Sequence, residues 1–449
     1  MPLPDTALVQ NEYRLVLIKS GSHAMWAENK GDMLRLPRVA IPRWTRPAEQ
    51  LQKAIESSWG IRSIILNILP GEMGSTSCAI VEVLSSESQT SVATADLDEI
   101  AEEEMTSVER AIVKDILACE RGPHEPFSRL GWITEAMDWV CAVARRKVIF
   151  TGEIHQYNAS ATFSLVRFAT QEGPAQWLKA TGAPNAHEFR ITKMLSELCP
   201  QFLPHRIAER EDWNAWLMED AGRPLDGSTL AELEQAVSTM AELQKRTIGR
   251  IRPFLDAGAF DQRLPVLRTH LAELIKYLEE AMAKQSSTKA PRIETRRLGQ
   301  LAAIVQDACY CMEALEIPDT LVHNDMNSDN ILFLGTHCVF SDWCETGVGN
   351  PFLTLQYLCL LGTRDESDWT PKLRETYKRC WLDRLSQRQI DRAFVLMPLL
   401  AVLSYLYGRG TWLHSPQRND PRVESYARSL ARHMDRAAED PRLLEVLCH

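Results

Sequence analysis

Short segments with β-branched side chains and one helical pattern make up the first 90 residues. Residues 47–59 (PAEQLQKAIESSW) have apolar positions at helical spacing, and Gly60 follows them as a C-terminal stop. Three segments bounded by Gly, Pro or Ser predict strands around this helix: residues 13–18 (YRLVLI), 61–69 (IRSIILNIL) and 79–84 (AIVEVL). We therefore expect a small α/β domain over residues 1–90.

A polar stretch follows this domain. Residues 85–106 (SSESQTSVATADLDEIAEEEMT) contain no aromatic residue, and serines give way to a cluster of acidic residues. Such a composition predicts a solvated linker or the exposed start of a helix. We place a domain boundary here and expect a linker with a helical connector over residues 91–126.

Strand patterns return near Lys147, with Gly152 and Gly173 at positions that suit turns. Three successive apolar segments predict an antiparallel meander: residues 147–150 (KVIF), 161–169 (ATFSLVRFA) and 175–180 (AQWLKA). A helical pattern over residues 185–198 and a strand pattern over 213–218 complete a β-rich lobe, which we expect over residues 127–220.

Helical periodicity dominates after Gly222 and is interrupted by one short β block, residues 321–340. This pattern predicts a large helical lobe over residues 221–449 and an α+β, bilobal architecture. The most apolar segment, residues 394–407, contains Pro398 and as a helix would span roughly 20 Å, less than the ~30 Å of a hydrocarbon core. We interpret it as a buried core helix.

Composition narrows the class of protein. The chain has 449 residues, a formal net charge of −10 and 45% hydrophobic residues, which suits conventional cores and excludes a disordered or fibrous protein. The negative charge disfavours a duplex-DNA partner and is compatible with a neutral or cationic small substrate. The 11 scattered cysteines predict free thiols, and the N-terminus lacks a secretory pattern, so we expect a cytoplasmic protein.

The segment with the strongest chemical signal is residues 320–355. It contains His323, Asp325 and Asn330 in an H-x-D-x-x-x-x-N pattern, followed by apolar ILF, a Gly turn, apolar CVF and Asp342. Strand–turn–strand closure would bring Asn330 and Asp342 together beside Asp325. The block would then offer one carboxylate that accepts a proton and two oxygen ligands for Mg²⁺.

Phosphoryl transfer from ATP requires this set of groups, because the protein mainly positions reactants and neutralises charge. Asp325 would orient and deprotonate the acceptor hydroxyl. Asn330 and Asp342 would hold Mg²⁺, and His323 would brace the loop through hydrogen bonds.

This block resembles the aminoglycoside phosphotransferase family, with its pattern H-G-D-x-x-x-x-N followed by D-W or D-F. The resemblance implies a protein-kinase-like fold, with ATP and Mg²⁺ as cofactors. Upstream, it implies that Lys179 in QWLKATG is the ATP-binding lysine and that Glu188 in HEFRITKMLSEL pairs with it. It further implies that backbone groups near Met218 and Glu219 bind adenine, and that the turn within residues 151–162 covers the phosphates.

The sequence departs from the family pattern at several positions. Asn324 stands where glycine is usual, and Ser341 precedes the metal aspartate where an apolar residue is common. The later G-D-P-x-x-D-L pattern is GNPFLTL here, with Asn350 and Thr354 in place of both acids. We expect altered loop packing rather than lost catalysis.

Residues 33–69 resemble a Nudix fold, whose helix carries glutamates that bind Mg²⁺. Aligned through Gly60, the positions of that motif hold other residue types, Lys53, Ala54, Ser57 and Ser58. The resemblance therefore implies a domain without hydrolase activity that retains a binding or scaffolding role.

Two classes of function stay open at this point. The first is an ATP-dependent small-molecule kinase that transfers the γ-phosphate to a substrate hydroxyl, and the second is a kinase-like nucleotide-binding or protein-interaction module with weak catalysis. A protein kinase is disfavoured, because no A-P-E-type segment is present. Aminoglycosides, choline-like alcohols, sugars and modified amino acids all remain candidate substrates, and the sequence does not indicate an oligomeric state.

Overall fold

The computed structural model of the chain divides into two compact units. It describes residues 10–19, 21, 24–30, 33–43, 46–71, 76–86, 93–118, 126–144, 148–225, 229–361, 368–408 and 416–448. The first unit, here the N-terminal unit, comprises Met1–Phe189 and His205–Asp220; the second, the helical unit, comprises Arg190–Pro204 and Ala221–His449. This division separates residues 220 and 221, but it also assigns Arg190–Pro204 of the predicted β-rich lobe to the helical unit, and residue 90 lies inside the N-terminal unit.

The N-terminal unit contains a seven-stranded mixed sheet. Its strands follow the order β3-β2-β1-β6-β5, with β4 paired to β1 and β7 paired to β2. The parallel β1–β6 pair lies at the centre, and the other pairs are antiparallel. The strands are β1 (Gln10–Lys19), β2 (Met25–Lys30), β3 (Met33–Arg35), β4 (Arg38–Pro42), β5 (Ile61–Leu69), β6 (Ser77–Ser86) and β7 (Ala93–Ala95).

Helix α1 (Pro47–Trp59) packs on one face of this sheet and has the bounds that its sequence pattern predicts. Gly60 ends it in the left-handed conformation (φ 64°) and donates its N–H to the Glu56 carbonyl at 2.8 Å. A glycine at this position adopts positive φ without the steric cost of a side chain. The next strand, β5, also begins and ends where the sequence pattern predicts.

The acidic segment before helix α2 (Ser107–Leu117) keeps most of its acids exposed, as a solvated segment does, but one of them, Glu104, is buried, which its composition did not predict. Glu104 is 2% exposed and lies 3.4 Å from an Arg38 guanidinium nitrogen. Arg14 donates to both oxygens of the buried Glu109 carboxylate at 2.7 and 3.2 Å, and also to the Glu104 carbonyl. A strand arginine 90 residues upstream therefore holds these acids inside the fold, where they offset its buried charge.

A five-stranded antiparallel sheet forms the rest of the N-terminal unit, in the order β11-β12-β10-β9-β8. The second and third predicted strands correspond to β9 and β10. The first, predicted over residues 147–150, overlaps β8 only at Phe150, and Gly152, which we expected in a turn, lies inside β8. Strand β11 had no recognised pattern. The elements of this part are helix α3 (Trp132–Val143) and the strands β8 (Phe150–Ala159), β9 (Ser164–Thr170), β10 (Gln176–Ala180), β11 (Arg206–Arg210) and β12 (Ala215–Glu219). The Lys147 start of the first predicted strand lies outside the described residues.

One hydrophobic core joins the two sheets of the N-terminal unit. Val16 and Ile80 of the larger sheet belong to the same buried cluster as Leu178 and Leu217 of the five-stranded sheet. Trp132 of α3 is fully buried between them and makes an edge contact with Phe127, with ring centroids 5.1 Å apart. The residues expected to form a separate domain therefore share their core with the β-rich lobe.

Helices dominate the helical unit, as predicted. Its first helix, α4 (His187–Leu198), begins in the N-terminal unit at His187–Phe189. The other helices are α5 (Leu230–Thr247), α6 (Arg252–Asp256), α7 (Leu264–Thr269), α8 (Leu271–Ala283), α9 (Thr295–Glu313), α10 (Phe352–Leu361), α11 (Thr370–Trp381), α12 (Gln387–Gly408), α13 (Pro421–Ala438) and α14 (Pro441–Leu447).

Helix α12 contains the predicted core helix and extends beyond it to 22 residues. By length and composition it could cross a membrane, yet 61% of its apolar window is buried inside the fold. Leu396, Leu399 and Leu403 are fully buried in the main cluster of the helical unit. Among the described residues, ten cysteines are free thiols, consistent with the expectation from their scattered spacing.

Two three-stranded sheets lie within the helical unit. The first has the order β13-β16-β17 and the second the order β14-β18-β15. Their strands are β13 (Arg223–Pro224), β14 (Phe260–Gln262), β15 (Thr320–His323), β16 (Ile331–Leu334), β17 (His337–Phe340) and β18 (Thr346–Gly349). A β-sheet lobe with a helical lobe confirms the predicted α+β class.

Candidate active site

The predicted β block is a buried strand, a short polar loop and a hairpin. All four residues of β15 are buried, and the chain then passes through residues 324–330 into the antiparallel β16–β17 pair. Ile331 pairs with Phe340, and the Ser341 N–H donates to the Asn330 carbonyl at 3.0 Å. The hairpin register therefore places Asp342 one residue beyond a backbone hydrogen bond to Asn330.

Asp325 and Asn330 are in direct contact. The Asn330 side-chain amide donates to the Asp325 carbonyl oxygen at 2.7 Å and to its carboxylate Oδ2 at 3.2 Å. The other carboxylate oxygen of Asp325 accepts from the Asn327 side chain at 3.0 Å. Asp325 is half-buried and Asn330 is buried. These bonds fix the orientation of the Asp325 carboxylate and use the amide nitrogen of Asn330, not its oxygen.

His323 is held by the loop on both sides of its ring. Its Nδ1 accepts the Asp325 N–H at 3.3 Å, so the Nε2 atom, 3.0 Å from the Ser341 carbonyl, must carry the proton and donate. The ring is 1% exposed and its centroid lies 4.6 Å from that of Trp343. These bonds connect the strand before the loop to the residue before Asp342.

Asp342 occupies the left-handed region of backbone space, with φ 62° and ψ 68°. Aspartate tolerates this conformation better than most residues, and such outliers concentrate at functional sites. Its half-buried carboxylate and the amide oxygen of Asn330 are hard oxygen donors, the ligand type that Mg²⁺ prefers. The donor set therefore fits this cation.

Lys179 and Glu188 form a buried ion pair within the N-terminal unit. The lysine Nζ lies 2.6 Å from the glutamate Oε1, and the two side chains are 7% and 1% exposed. Lys179 projects from β10, and Glu188 lies in the first turn of α4. The Lys179 Nζ is also 5.8 Å from the centroid of the Trp216 ring. The predicted partners are therefore adjacent, and each is fixed by a different element.

The predicted adenine-binding residues lie at the end of β12. Met218 pairs with Trp177 across the sheet, and Glu219 pairs with Gln176. The Glu219 N–H already donates to the His205 carbonyl at 2.9 Å, and the Asp220 N–H donates to Ala175 at 2.9 Å. Both N–H groups already donate hydrogen bonds within the fold. The predicted backbone contacts to adenine must therefore come from other atoms of this segment.

The turn predicted to cover phosphates is shorter than the predicted range of residues 151–162. Strands β8 and β9 take up most of that range, and the turn itself spans residues 160–163. The Ser160 N–H donates to the Phe163 carbonyl at 2.9 Å, while Ser160 Oγ accepts the Phe163 N–H at 3.0 Å. Leu165, just after the turn, pairs with Lys179, so the turn lies close to that lysine in the sheet.

Trp177 is a candidate binding residue that the sequence reasoning did not select. It lies two residues before Lys179 on β10, so both side chains project from the same face of the sheet. The indole is half-buried, and its N–H donates to Asp220 Oδ2 at 3.1 Å. The signal was available in the sequence, because period-two alternation in QWLKA places a tryptophan beside the predicted lysine.

Three of the four polar departures from the family pattern make side-chain hydrogen bonds beside the loop, and the fourth, Ser341, bonds through its backbone. Thr354 Oγ1 accepts the His323 N–H at 3.1 Å, and Asn350 Oδ1 accepts the Phe352 N–H at 3.0 Å at the start of α10. The Asn324 amide donates to Gln262 Oε1 at 2.9 Å. Thr354 and Asn350 thus anchor the backbone around the β block.

Gly347 explains how the fold accommodates Asn324 and Gln262, both of which are buried. A Cβ at residue 347 would lie 2.1 Å from Gln262 Oε1 and 3.0 Å from Asn324 Nδ2. Any side chain there would displace the amide pair, so this close approach requires glycine.

The structure therefore brings the predicted site residues together in two groups. Lys179, Glu188, Met218 and Glu219 belong to the N-terminal unit, and His323, Asp325, Asn330 and Asp342 belong to the helical unit. In the first group Lys179 contacts Glu188, and Met218 adjoins Glu219. In the second, hydrogen bonds link His323 and Asn330 to Asp325, and Asp342 follows Ser341, whose N–H bonds Asn330.

Known structures of similar shape include several small-molecule kinases. A choline/ethanolamine kinase family protein from Mesorhizobium loti is 16% identical, with 70% of this chain and 98% of that chain covered and a TM-score of 0.46. A choline kinase from Cryptosporidium parvum is 16% identical, with the same coverages and a TM-score of 0.47. An aminoglycoside phosphotransferase from Alicyclobacillus acidocaldarius is 16% identical, with coverages of 64% and 94% and a TM-score of 0.39.

No curated protein sequence matches the chain significantly. The family described as "Phosphotransferase enzyme family" (APH) matches residues 165–395. This match spans just over half of the chain and includes Lys179, Glu188 and the whole β block from His323 to Asp342. The chain belongs to the APH phosphotransferase enzyme family.

Proposed function

We propose that this protein is an ATP- and Mg²⁺-dependent kinase that transfers the γ-phosphate of ATP to a hydroxyl group of a small molecule. The observation that carries the proposal is the contact between the Asp325 carboxylate and the Asn330 amide at 3.2 Å, with Asp342 one residue beyond the hairpin bond to Asn330. This arrangement lies inside the family match.

Asp325 is the proposed catalytic base. Each of its carboxylate oxygens accepts a hydrogen bond from an asparagine, Asn327 or Asn330, so the group is preoriented before a substrate arrives. In the proposed reaction this carboxylate accepts the proton of the acceptor hydroxyl as that oxygen attacks the γ-phosphorus. His323 is proposed to position the loop, since both of its ring nitrogens are committed to backbone groups.

The Asn330 amide oxygen and the Asp342 carboxylate are the proposed magnesium ligands. The bound cation would neutralise charge on the β- and γ-phosphates. Because Asn330 also contacts Asp325, a single side chain would couple the metal site to the base.

In the N-terminal unit, Lys179 is proposed to contact the phosphates of ATP while Glu188 fixes its position. Trp177 presents an aromatic surface on the same face of the sheet, which suits stacking against a purine base. Backbone groups near Met218 and Glu219 are the proposed polar contacts of that base, other than the Glu219 N–H, which is already bonded.

The seven-stranded part of the N-terminal unit is proposed to be Nudix-like and without hydrolase activity. Lys53, Ser57 and Ser58 are exposed on α1, and the Lys53 ammonium lies 2.6 Å from Glu49. These positions offer no carboxylate ligands for Mg²⁺. We propose a scaffolding role for this part, a cytoplasmic location, and a neutral or cationic hydroxylated substrate rather than a nucleic acid or a membrane.

A substrate screen with a matched pair of variants tests the proposed function. The full chain is incubated with Mg·ATP and a library of aminoglycosides, amino alcohols and sugars, and ADP release and product mass are followed. Asp325→Asn should lower kcat about 10²- to 10⁴-fold, the range for loss of a general base, while ATP still binds. Asp329→Asn alters an exposed aspartate of the same loop and should retain the parental rate.

Turnover of Asp325→Asn at the parental rate would show that Asp325 is not the base. A chain that binds Mg·ATP but phosphorylates no compound in the library would favour the nucleotide-binding module instead.

A further inference from the structure

Strand β8 is an edge strand of the five-stranded sheet, and the seven-stranded part of the N-terminal unit covers its free edge. Strand order places β8 beside β9 only, so one side of its backbone has no partner within that sheet. Helix α1 and strand β5 pack against this side. An uncovered edge strand offers unpaired N–H and C=O groups to which another chain can bind. Elements that cover the edge of β8 prevent such pairing.

Two glutamines connect these elements, and we call Gln52 of α1 and Gln156 of β8 the glutamine bridge. Gln52 donates to the Ser63 carbonyl at 2.6 Å and accepts the Gln156 N–H at 2.8 Å. The Gln156 side chain accepts the Ile65 N–H at 2.8 Å and donates to the Ile65 carbonyl at 2.9 Å. Gln156 is 1% exposed. The oxygen and the nitrogen of both side-chain amides are therefore satisfied at a buried junction.

The bridge joins two β-bulges. In β8, Gln156 pairs with Val166 and Asn158 with Leu165, so Tyr157 is an extra residue. In β5, the pairing also shifts by one residue immediately after Ile65. A bulge leaves backbone groups outside the regular ladder and turns a side chain away from its ordinary direction. Gln156 supplies the missing partners for Ile65, and Gln52 supplies the partner for the Gln156 N–H.

The bulged residue Tyr157 lies against the proposed nucleotide-binding face. Its ring centroid is 4.8 Å from that of Trp177, and the Arg46 guanidinium lies 5.7 Å from it. Trp177 in turn donates to Asp220 and stands two residues before Lys179. The orientation of Tyr157 at the bulge is therefore linked to the position of the indole beside the lysine.

We propose that the seven-stranded part of this protein is a positioning element for nucleotide binding, and that Gln52 and Gln156 are its positioning residues. Their bonds hold the β8 bulge so that Tyr157 supports Trp177 and so that the turn at residues 160–163 keeps its place next to the β9–β10 pair that carries Lys179. The inference rests on the proposed function, because it assigns the Trp177–Lys179 face to ATP. It gives the N-terminal residues outside the family match a role in that same site.

Nucleotide affinity measured against thermal stability tests the proposal. The probe is Mg·AMP-PNP, titrated by calorimetry into the full chain and into Gln52→Ala, Gln156→Leu and the double variant. We expect the dissociation constant to rise about tenfold in each single variant. A rise of this size corresponds to about a tenth of the molecules keeping the binding-competent position of Trp177 and the turn. The double variant should bind Mg·AMP-PNP no more weakly than the single variant with the lower affinity, because both substitutions break the same glutamine bridge.

Gln389→Leu in the helical unit is the matched control. Gln389 donates to the Leu315 carbonyl at 2.7 Å and accepts from Ser386 at 2.8 Å, so its loss removes a similar number of bonds. This variant should lose thermal stability while its affinity for Mg·AMP-PNP stays within twofold of the parent. The contrast separates positioning from general destabilisation.

Unchanged affinity in Gln52→Ala, with a lowered melting temperature, overturns the positioning role and leaves the proposed function intact. Gln52 is half-buried, so this variant alone decides the question if Gln156→Leu fails to fold. A parent chain that does not bind Mg·AMP-PNP overturns the proposed function and the inference with it.

Discussion

The Lys179–Glu188 pair allows stability and nucleotide binding to be separated by mutation. Glu188→Gln removes the carboxylate charge whose oxygen lies 2.6 Å from the lysine Nζ, in a pair whose side chains are 7% and 1% exposed. Breaking a buried pair by removing one partner costs about 3 to 5 kcal/mol, because the other charge stays buried. For a unit of this size, that cost corresponds to a melting temperature lowered by about 6 to 20 °C.

A second variant, Lys179→Met with Glu188→Leu, removes both charges and keeps the side chains similar in volume. Replacing a buried ion pair by apolar residues is often neutral or stabilising, so this double variant should melt near the parental temperature. It should nevertheless bind Mg·AMP-PNP far more weakly, because the ammonium proposed to contact the phosphates is absent. Stability would then recover while affinity would not.

The measurement combines thermal unfolding with calorimetric titration on the same protein preparations. A conservative Lys179→Arg variant serves as the charge-retaining comparison, since it keeps a cation beside Glu188. Two results would refute the reasoning. One is a Glu188→Gln variant with a melting temperature within 2 °C of the parent, below the expected shift of about 6 °C. The other is a doubly apolar variant that binds Mg·AMP-PNP as tightly as the parent.

Three further changes test the packing around the site and in the N-terminal unit. Glu109→Gln should lower the free energy of unfolding by about 3 kcal/mol in urea titrations, because it leaves the buried Arg14 guanidinium without a carboxylate. Burial raises the pKa of Asp319 to about 6, so the folded state binds a proton more readily than the unfolded state. Asp319→Asn should therefore be more stable than the parent at pH 7, by at most about 3 kcal/mol, and that advantage should shrink as pH falls from 6 to 4. Thr354→Val should cost about 1 to 3 kcal/mol in urea unfolding and should lower kcat, because it leaves the buried His323 N–H without its acceptor.

The sequence predicted those elements whose geometry is determined by residues close together in the chain. The bounds of α1 follow from its apolar spacing and from Gly60, whose left-handed conformation ends the helix. The strand–turn–strand pattern after Asp325 predicted that Asn330 and Asp342 come together beside Asp325. The hydrogen bonds show Asn330 against Asp325, and the convergence of Asp342 with this pair stays a prediction. In both cases, residues a few positions apart determine the geometry.

Features that depend on distant residues escaped the sequence reasoning. The acidic run before α2 matches the composition of a solvated linker, yet Glu104 within it is buried beside Arg14 and Arg38, which are far away in sequence. Similarly, nothing in the sequence around Thr354 indicates that its hydroxyl accepts the His323 N–H, 31 residues earlier. Pairing over such separations is set by the tertiary fold, which single-sequence patterns do not encode.

The family match begins at residue 165, inside β9, and so leaves out β8 and everything before it. Yet β8 completes the sheet that holds Lys179. At its free edge the Gln156 N–H donates to Gln52, and the Gln156 side chain bonds the backbone of Ile65. The core of this sheet also depends on the N-terminal residues, because Leu178 and Leu217 are buried in one cluster with residues of the larger sheet. A chain truncated to begin at Phe127 would expose both an edge strand and this apolar face, a combination that favours aggregation over folding. We therefore expect the β-rich lobe to need the N-terminal residues in order to fold, and we look for their role in how they hold β8 rather than in the chemistry of a separate domain.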